Sequence, residues 1–226
     1  MKDRARAREL AAEFHRKGDP TGWFERLYQE GEAGKSTVPW ANLCPNPFLL
    51  DFWKTHPRPT TGKTALTIGC GLGDDAEQLA AWGFRTTAFD ISETAIHASR
   101  KRFPATSVEY CVANLLAPPS AWRGNFDFVF EANTLQVLPT NLRPRAIENI
   151  AGFVCPGGLL LVIARGRGPS DPEGQMPWPL TRAELSAFTS AGLQEISFED
   201  LLDFEDPAEP TVRRFRALYQ LSKSAD

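Results

Sequence analysis

From residue 64 onward, short apolar segments alternate with segments that have the spacing of amphipathic helices. The apolar segments read TALTI (64–68), FRTTAF (84–89), SVEYCV (107–112), FDFVFE (126–131) and GLLLVIA (158–164). Strands that alternate with helices predict βαβ units, and such units build a parallel sheet. The alternation ends with two apolar segments that no helix separates, and such strands pair antiparallel. We therefore predict a three-layer α/β sandwich whose seven-stranded, mostly parallel sheet ends in an antiparallel hairpin near residues 193–221.

The N-terminal part of the chain has a helical pattern instead. Residues 3–17 favour an amphipathic helix, with alanines and leucine on one side and arginines on the other. Asp19-Pro20 and Asn46-Pro47 each combine a capping residue with a first-turn proline, which predicts two more helices. We expect a single domain over residues 1–226, made of N-terminal helices over 1–60 and an α/β core over 61–226.

Charge and composition exclude several classes of protein. The 226 residues include 25 basic and 28 acidic side chains, a formal net charge of −3, which argues against a nucleic-acid binder. No segment approaches the roughly 20 apolar residues of a membrane helix, and the charged N-terminus lacks a signal-peptide core. The four cysteines and three histidines have no zinc-ligand spacing. We therefore expect a cytoplasmic monomer or weak dimer without a metal, nucleic-acid or membrane partner.

A glycine-rich turn follows the first strand. Residues 69–73 read Gly-Cys-Gly-Leu-Gly and lead into a helix, so the backbone turns tightly and leaves room for a ligand. Asp90 ends the next strand, and a carboxylate about 20 residues after such a turn suits the hydroxyls of an adenosine ribose. The turn and the carboxylate together indicate an adenosine-containing ligand.

The same turn argues against phosphate-bearing ligands. A dinucleotide fingerprint needs a third glycine where this chain has Asp74, and a phosphate-binding P-loop needs a Gly-Lys-Ser/Thr that is absent. Asp74 and Asp75 occupy the helix N-terminus, satisfy its dipole and repel a phosphate. The turn therefore favours an adenosine ligand without phosphates and with a positive charge.

These motifs together resemble the class I S-adenosylmethionine-dependent methyltransferases, over residues 64 to about 221. Residues 69–73 resemble the first motif of that family, and 126–136 and 154–161 resemble its fourth and fifth strand motifs. The resemblance implies a Rossmann-like fold and S-adenosylmethionine as cofactor. It also implies cofactor contacts from Gly69, Cys70, Gly71, Asp75, Asp90, Ile91, Asn114, Leu115 and Glu131.

Two positions depart from the family pattern. The family usually has an acid two residues before the first glycine, where it orients the methionine amino group, and this chain has Thr67. Asp74 or Asp75 is the candidate replacement, and the sequence does not choose between them. The adenine-contacting residue, usually Asp, is Asn114, whose carbonyl oxygen still accepts a hydrogen bond.

The N-terminal segment narrows the resemblance to one branch of the family. Residues 38–42 read Val-Pro-Trp-Ala-Asn, and with Pro-Asn-Pro-Phe at 45–48 they are similar to the lid of the thiopurine, thiol and halide methyltransferases, although Ala41 stands where that lid often has Asp. The matching aromatic residues are Trp23 and Trp40, and an indole face attracts a sulfonium by about 0.5–2 kcal/mol. The alternative for Trp40 is ordinary core packing.

The sequence gives the least information about the residues that bind the methyl acceptor. Glu131 and Asn133 are the catalytic candidates, and Glu131 is alternatively a cofactor-side or structural residue. No histidine falls on the loops after the strands, which favours soft acceptors that need no base. The loop with Arg165 and Trp178 is either a substrate pocket with a carboxylate-binding arginine or a surface loop. The substrate-binding candidates are Trp40, Asn133, Gln136, Arg165 and Trp178.

Three functional hypotheses follow from this sequence. The first is methyl transfer to a small thiol, selenol or halide. The second is an O- or N-methyltransferase that tailors a small natural product. The third is a binding protein that retained the fold without catalysis, which the intact glycine turn and Asp90 disfavour.

Overall fold

The computed structural model of the chain describes residues 4–203 and 212–223. The seven strands are β1 (Thr64–Ile68), β2 (Arg85–Asp90), β3 (Glu109–Val112), β4 (Phe126–Ala132), β5 (Val154–Arg165), β6 (Gln194–Asp203) and β7 (Val212–Gln220). The seven α-helices in the described ranges are α1 (Ala5–Arg16), α2 (Gly22–Glu32), α3 (Pro47–Thr55), α4 (Asp74–Ala81), α5 (Glu93–Arg102), α6 (Arg143–Phe153) and α7 (Arg182–Ser190).

The strands form one mixed sheet in the order β3-β2-β1-β4-β5-β7-β6. The first five strands run parallel, and β7 pairs antiparallel with both β5 and β6. This confirms the mostly parallel, seven-stranded sheet and its antiparallel end. The predicted hairpin consists of β6 and β7, with β7 lying inside β6, and its connection at residues 204–211 lies outside the described residues.

Helices cover both faces of the sheet and complete the three-layer, Rossmann-like sandwich. On one face, Ile150 of α6 and Phe188 of α7 pack in a cluster with Leu66 and Val129. On the other face, α3, α4 and α5 pack through three side chains that are at most 1% exposed: Leu49, Leu79 and Ile96. Strand residues alternate between these two clusters, as expected for a sheet that is buried on both faces.

The N-terminal helices lie across the carboxyl ends of the parallel strands. Arg8 of α1 donates to the carbonyl oxygen of Met176 at 2.7 Å. Glu25 of α2 accepts hydrogen bonds from the hydroxyls of Ser92 and Thr94, both at 2.6 Å, at the N-terminus of α5. Helix α2 begins two residues later than Asp19-Pro20 predicts, and the Asp19 carboxylate accepts from the backbone NH of Gly22 at 2.8 Å. These bonds place α2 above the sheet edge where β1, β2 and β4 end.

Candidate active site

A cavity of about 490 Å³ lies between the carboxyl ends of the parallel strands and the N-terminal helices. Strand order reverses between β1 and β4, and ligands of open α/β sheets bind at that reversal. Ligand pockets commonly enclose about 300–1,000 Å³. The cavity therefore has the place and the size for a bound cofactor and a small second molecule.

The glycine turn forms the floor of the cavity. Gly69 and Gly71 have φ angles of 58° and 55°, in the left-handed region that favours glycine. A Cβ on Gly69 would lie 2.5 Å from the hydroxyl oxygen of Thr134, and one on Gly71 would lie 3.0 Å from the hydroxyl oxygen of Tyr28. Both glycines are thus required by backbone conformation and by close neighbours, and Cys70 between them also lines the cavity.

Asp90 is buried at the cavity wall next to this turn. Its carboxylate accepts from the backbone NH groups of Gly71 and Ser92, both at 2.9 Å. Burial raises the pKa of Asp90 above its ordinary value, and these two hydrogen bonds oppose that effect. A carboxylate accepts about four hydrogen bonds, so its two oxygens retain capacity for a pair of hydroxyls. The neighbouring Ile91 lines the cavity as well.

The two acids at the start of α4 have different partners. Asp74 forms a bidentate ion pair with Arg102, with both N–O distances at 2.8 Å. Asp75 accepts from the backbone NH of Asn46 at 2.6 Å, and burial raises its pKa to about 6. Since Asp74 is already neutralised, Asp75 is the better candidate for the role that Thr67 leaves open. Thr67 itself is buried and does not line the cavity.

Asn114 and Leu115 line the cavity beyond β3, as the resemblance implies. The Asn114 side-chain oxygen accepts from the backbone NH of Leu116 at 2.8 Å, which shapes its own turn. The carbonyl of Leu115 accepts from the Asn149 side chain at 2.8 Å. Two hydrogen bonds therefore hold this loop, and the amide oxygen of Asn114 is partly engaged before any ligand binds.

Trp40 and Tyr28 form the roof of the cavity over the glycine turn. The indole NH of Trp40 donates to the Tyr28 hydroxyl at 2.8 Å, and both residues line the cavity. Tyr28 was not among the sequence candidates. The spacing on α2 is the sequence feature that could have identified Tyr28. Phe24 and Tyr28 are four residues apart, so they share the helix face that lines the cavity.

The structure corrects the placement of Trp23. Its side chain is fully buried, stacks on Phe24 at 3.8 Å between ring centroids, and packs with Leu27 against α1. Trp23 does not line the cavity. It occupies the face of α2 opposite Tyr28, so its aromatic ring contributes to the core.

The structure also corrects the placement of Trp178. Its ring stacks on His15 of α1 at 6.3 Å, and the adjacent Met176 and Pro177 line the cavity in its place. The backbone NH of Trp178 donates to the Gln136 carbonyl at 2.8 Å. The indole therefore fixes α1 to the loop and does not form the expected aromatic wall.

Glu131 lies outside the cavity wall as well, which argues against the catalytic and cofactor-side roles and favours the structural alternative. Its side chain is fully buried, and one oxygen accepts from the backbone NH groups of Thr134 and Leu135 at 2.6 and 3.1 Å. Burial raises the pKa of Glu131 to about 7. This carboxyl holds the turn that follows β4.

Asn133, Gln136 and Arg165 are brought together at the far end of the cavity, as expected. Asn133 has a φ of 65°, and its side-chain oxygen accepts from Gln136 and Arg214, each at 3.1 Å. Gln136 in turn accepts from the backbone NH of Arg165 at 2.6 Å. Arg214 also pairs with Asp203 at 2.9 Å, and sequence reasoning missed both of these residues. We call this group the acceptor end, and the part around the glycine turn and Asp90 the cofactor end.

Comparison with known proteins agrees with this geometry. Residues 65–158 match the family described as a methyltransferase domain. Among solved structures, the N-methyltransferase NodS of Bradyrhizobium japonicum in complex with S-adenosylhomocysteine superimposes with a TM-score of 0.65 and 22% identity, covering 86% of this chain and 98% of NodS. A structure titled for the conversion of a disulfide bond into a thioacetal group in echinomycin biosynthesis gives a TM-score of 0.72 at 19% identity, covering 91% and 93%. The chain therefore contains a region that matches a methyltransferase domain, and it has the Rossmann-like fold of these methyltransferases.

The curated relatives of the chain are named for different methyl transfers. The chain is 26% identical to the probable thiol methyltransferase 2 of Arabidopsis thaliana over 62% of this chain and 65% of that protein. It is 26% identical to the 2-heptyl-1-hydroxyquinolin-4(1H)-one methyltransferase of Mycobacteroides abscessus over 74% of each chain. A ubiquinone biosynthesis O-methyltransferase of Thiobacillus denitrificans is 30% identical over 68% of this chain and 58% of its own length. The chain thus spans less than two thirds of the first and third of these relatives.

The residues at the cofactor end fit S-adenosylmethionine. Backbone space above the glycine turn, a buried carboxylate at Asp90 and a second one at Asp75 suit an adenosine that carries an ammonium and a sulfonium. In the described ranges, no group of three or more metal-ligating side chains is suited to hold a metal ion. None of the described helices has the length and apolarity needed to cross a membrane.

Proposed function

We propose that the protein is a class I S-adenosylmethionine-dependent methyltransferase, and that it transfers the methyl group to a small molecule through an anionic nucleophile, namely a thiolate, a selenolate or a halide. The observation that carries this proposal is the lack of an unengaged base at the acceptor end among the described residues. Its side chains with acid–base chemistry are arginines and Asp203, and Asp203 is ion-paired with Arg214. A nucleophile that arrives ionised needs no proton acceptor.

Each other candidate base is also engaged or remote. Glu131 lies outside the cavity and holds a backbone turn. Tyr28 accepts from Trp40, and burial together with the nearby Asp90 raises its pKa well above the ordinary value, so the phenol stays protonated. The lack of a base matters less for a thiol than for an alcohol, because a thiol ionises about a unit or two above neutral pH.

In this proposal the cofactor end binds and orients the methyl donor. Asp90 accepts from both ribose hydroxyls, and Asp75 pairs with the ammonium of the methionine part. Asn114, Leu115 and Ile91 border the adenine. The cofactor supplies an activated methyl group, and the chain contributes alignment and exclusion of water, which supply much of the rate in a displacement of this kind.

Trp40 is proposed to cover the reacting centre. Its indole lies in the roof, where its NH is satisfied by Tyr28 and its ring borders the cavity. An aromatic face there stabilises the sulfonium, by about 0.5–2 kcal/mol, and keeps water away from it. The relative named as a probable thiol methyltransferase is consistent with a sulfur acceptor.

The alternative is an O- or N-methyltransferase that tailors a small natural product, which the relative named as a ubiquinone biosynthesis O-methyltransferase favours. A panel of small thiols, iodide, phenols and amines, read by release of S-adenosylhomocysteine, separates the two. We expect turnover of thiols at a rate that rises with the ionised fraction of the thiol. Turnover of phenols or amines with inactive thiols would instead support the alternative, and cofactor binding without turnover of any acceptor would support a binding protein.

A further inference from the structure

A chain of hydrogen bonds at the acceptor end fixes the orientation of two side-chain amides. The backbone NH of Arg165 donates to Oε1 of Gln136 at 2.6 Å, so the nitrogen of Gln136 is free to donate to Oδ1 of Asn133, at 3.1 Å. Nη1 of Arg214 donates to the same Asn133 oxygen, also at 3.1 Å. A backbone NH and a guanidinium act only as donors. Each amide therefore has one orientation that satisfies its partners.

The nitrogen at the end of this chain has no partner. Nδ2 of Asn133 is accessible and makes no hydrogen bond among the described residues, and Asn133 lines the cavity. An amide nitrogen donates hydrogen bonds and does not accept them. At this position the cavity therefore offers a donor, which suits an anion, whereas a hydroxyl or amine that must lose a proton needs an acceptor.

The backbone of Asn133 has an uncommon conformation at a central place in the cavity. Its φ of 65° lies in the left-handed region, which non-glycine residues rarely adopt and in which they cluster at functional sites. Its backbone NH donates to the Ile163 carbonyl at 2.9 Å. The next residue, Thr134, borders Gly69 of the glycine turn. Asn133 therefore lies between the glycine turn and Arg214, where a methyl donor and its acceptor would meet.

Several charged or titratable groups surround this place and bear on any pH experiment. Those that line the cavity on the acceptor side are Arg4, Arg165, Asp203 and Arg214. Those on the cofactor side are Tyr28, Cys44, Cys70, Asp74, Asp75 and Asp90. Glu131 precedes Asn133 on β4 and lies outside the cavity wall. Burial raises the pKa of Glu131 to about 7 and that of Asp75 to about 6, so these two titrations must be separated from that of the acceptor.

We infer that Asn133 is a catalytic residue whose side-chain amide donates a hydrogen bond to the acceptor sulfur and favours the thiolate over the thiol. This inference rests on the proposed function and assigns a residue to it. The thiol releases its proton to water. The thiolate electron pair then forms a bond to the methyl carbon while the bond from that carbon to the cofactor sulfur breaks, and the electron pair of the broken bond stays on the cofactor sulfur. Both products are neutral thioethers.

This role makes the effect of Asn133 depend on pH. A donor that lowers the pKa of the bound thiol by one unit raises its ionised fraction about tenfold below that pKa. The nucleophilicity of a thiolate falls with its pKa, with a Brønsted coefficient of about 0.4–0.5, so a gain of about threefold remains. Above the pKa the thiol is ionised without help, and the same hydrogen bond slows the transfer about threefold.

The first test measures ionisation without turnover. The protein saturated with S-adenosylhomocysteine is mixed with thiophenol, whose thiolate and thiol differ in their ultraviolet spectra, and difference spectra are recorded against pH. We expect bound thiophenol to have a pKa about one unit below that of free thiophenol. Equal pKa values, or a complex that takes up no thiolate, would overturn the inference.

The second test assigns the shift to Asn133. Asn133→Gly tolerates the positive φ and removes the amide, so the pKa of bound thiophenol should return to within about half a unit of the free value. Asn133→Asp keeps an oxygen for Gln136 and Arg214 and replaces the donor by a carboxylate oxygen, so it should raise that pKa above the free value. A folded Asn133→Gly protein that keeps the full shift would overturn the assignment.

Asn125→Asp is the matched control for the added charge. Asn125 is exposed and directly precedes β4, at the opposite end of the strand from Asn133. The variant should keep the wild-type pKa of bound thiophenol. A rise as large as that in Asn133→Asp would show that net charge, and no local contact, sets the ionisation, and would overturn the inference.

The third test links ionisation to catalysis. Values of kcat for thiophenol and for the less acidic 2-mercaptoethanol are measured against pH in the wild type and in Asn133→Gly. We expect the variant to be about threefold slower below the pKa of each thiol and no slower above it. The pH of this change should therefore differ between the two thiols. A change at one pH for both thiols would reflect Glu131 or Asp75 and would overturn the catalytic role.

The tests also separate this inference from the proposed function. A lowered pKa of bound thiophenol without methylation of either thiol would refute the proposed sulfur acceptor and leave the donor site at Asn133 supported. Methylation of both thiols with one pH profile in the wild type and in Asn133→Gly, and with an unshifted pKa, would keep the proposed function and remove the role of Asn133.

Discussion

The cofactor end and the acceptor end of the cavity are built in different ways. The cofactor end is made mainly from residues that directly follow parallel strands, in a sequence segment from Gly69 to Leu115, and much of it is backbone. The acceptor end combines side chains from α1, β5, β7 and the turn after β4, which are far apart in sequence. The first end therefore depends mainly on local sequence, whereas the second depends on how distant segments pack together.

The two ends also treat charge differently. At the cofactor end, burial raises the pKa values of Asp75 and Asp90, since no side-chain cation pairs with either carboxylate in the described structure. At the acceptor end, Asp203 is already paired with Arg214. A cationic cofactor therefore relieves an electrostatic cost that the free protein carries, whereas an acceptor must fit a charge arrangement that is already balanced in part.

The largest effect is expected at Asp90. Asp90→Ala removes a buried charged acceptor to two hydroxyls, which costs about 1.5–3 kcal/mol, or about 10- to 100-fold in cofactor affinity. Calorimetry with S-adenosylhomocysteine measures it. Asp127→Ala is the control, because Asp127 lies at the opposite end of β4, bonded to Lys63 and Thr64. Asp127→Ala should lower stability and leave cofactor affinity unchanged. If Asp90→Ala also left cofactor affinity unchanged, the ribose would lie elsewhere.

Trp40 tests whether the roof belongs to the reaction or to the core. Trp40→Ala removes the indole over the cavity and its bond to Tyr28, and we expect turnover to fall about tenfold, in line with a lost cation–π contact and access of water. The melting temperature should fall by only a few degrees. Trp23→Phe is the comparison, since the fully buried Trp23 should affect stability and leave kcat intact. If Trp40→Ala unfolds the protein, or active molecules keep wild-type turnover, Trp40 is a core residue.

Asp75 gives a smaller effect that depends on pH. Its pKa of about 6 in the free protein means that the carboxylate is largely protonated at pH 5 and ionised at pH 7. Only the ionised form attracts the ammonium of the cofactor, so cofactor affinity should rise several-fold from pH 5 to pH 7 and then level off. Asp75→Asn should bind weakly and lose this rise. If cofactor affinity followed the same pH profile in Asp75→Asn as in the wild type, the ammonium would lie elsewhere.

The ease of prediction follows the same division between the two ends. The sheet, its antiparallel end and the glycine turn were predicted correctly, because strand alternation and turn residues are local signals. Asp90 and Asn114 lie on the cavity wall as expected, because parallel strands bring their carboxyl ends to one edge. The positions of these residues can be predicted without knowing how side chains pack.

Residues whose position depends on packing were predicted less well. Helix α2 carries two aromatic faces, and the sequence does not say which one faces the cavity, so Trp23 was chosen where Tyr28 lines the wall. Trp178 was likewise chosen over its neighbours Met176 and Pro177. Arg214 was missed because its alignment with Asn133 arises only when β7 inserts beside β5.

Glu131 lies on β4 outside the cavity wall, and its expected effect on activity is the smallest. The pKa of its buried carboxyl is about 7, above the ordinary value of 4.5, so the folded state binds this proton more tightly than the unfolded state. Its contribution to stability is therefore complete below about pH 4.5 and is lost as pH rises through about 7. The raised pKa of Asp75 makes stability fall with rising pH in the same way. The effect of Glu131 must therefore be measured against a variant that keeps Asp75 unchanged.

Glu131→Gln provides that comparison, because an amide oxygen still accepts from the backbone NH groups of Thr134 and Leu135 but does not ionise. We expect the melting temperature of the wild type to fall more between pH 5 and pH 8 than that of the variant. The difference should be at least about 2–4 °C, because each kcal/mol shifts the melting temperature by that amount in a chain of this size. Thermal unfolding at the two pH values measures this. Turnover of Glu131→Gln at pH 8 should stay within about twofold of the wild type, since the side chain only holds a turn. A loss of turnover by orders of magnitude in a folded variant would identify Glu131 as a proton acceptor, and would remove the contrast between a cofactor end made of carboxylates and an acceptor end without a base.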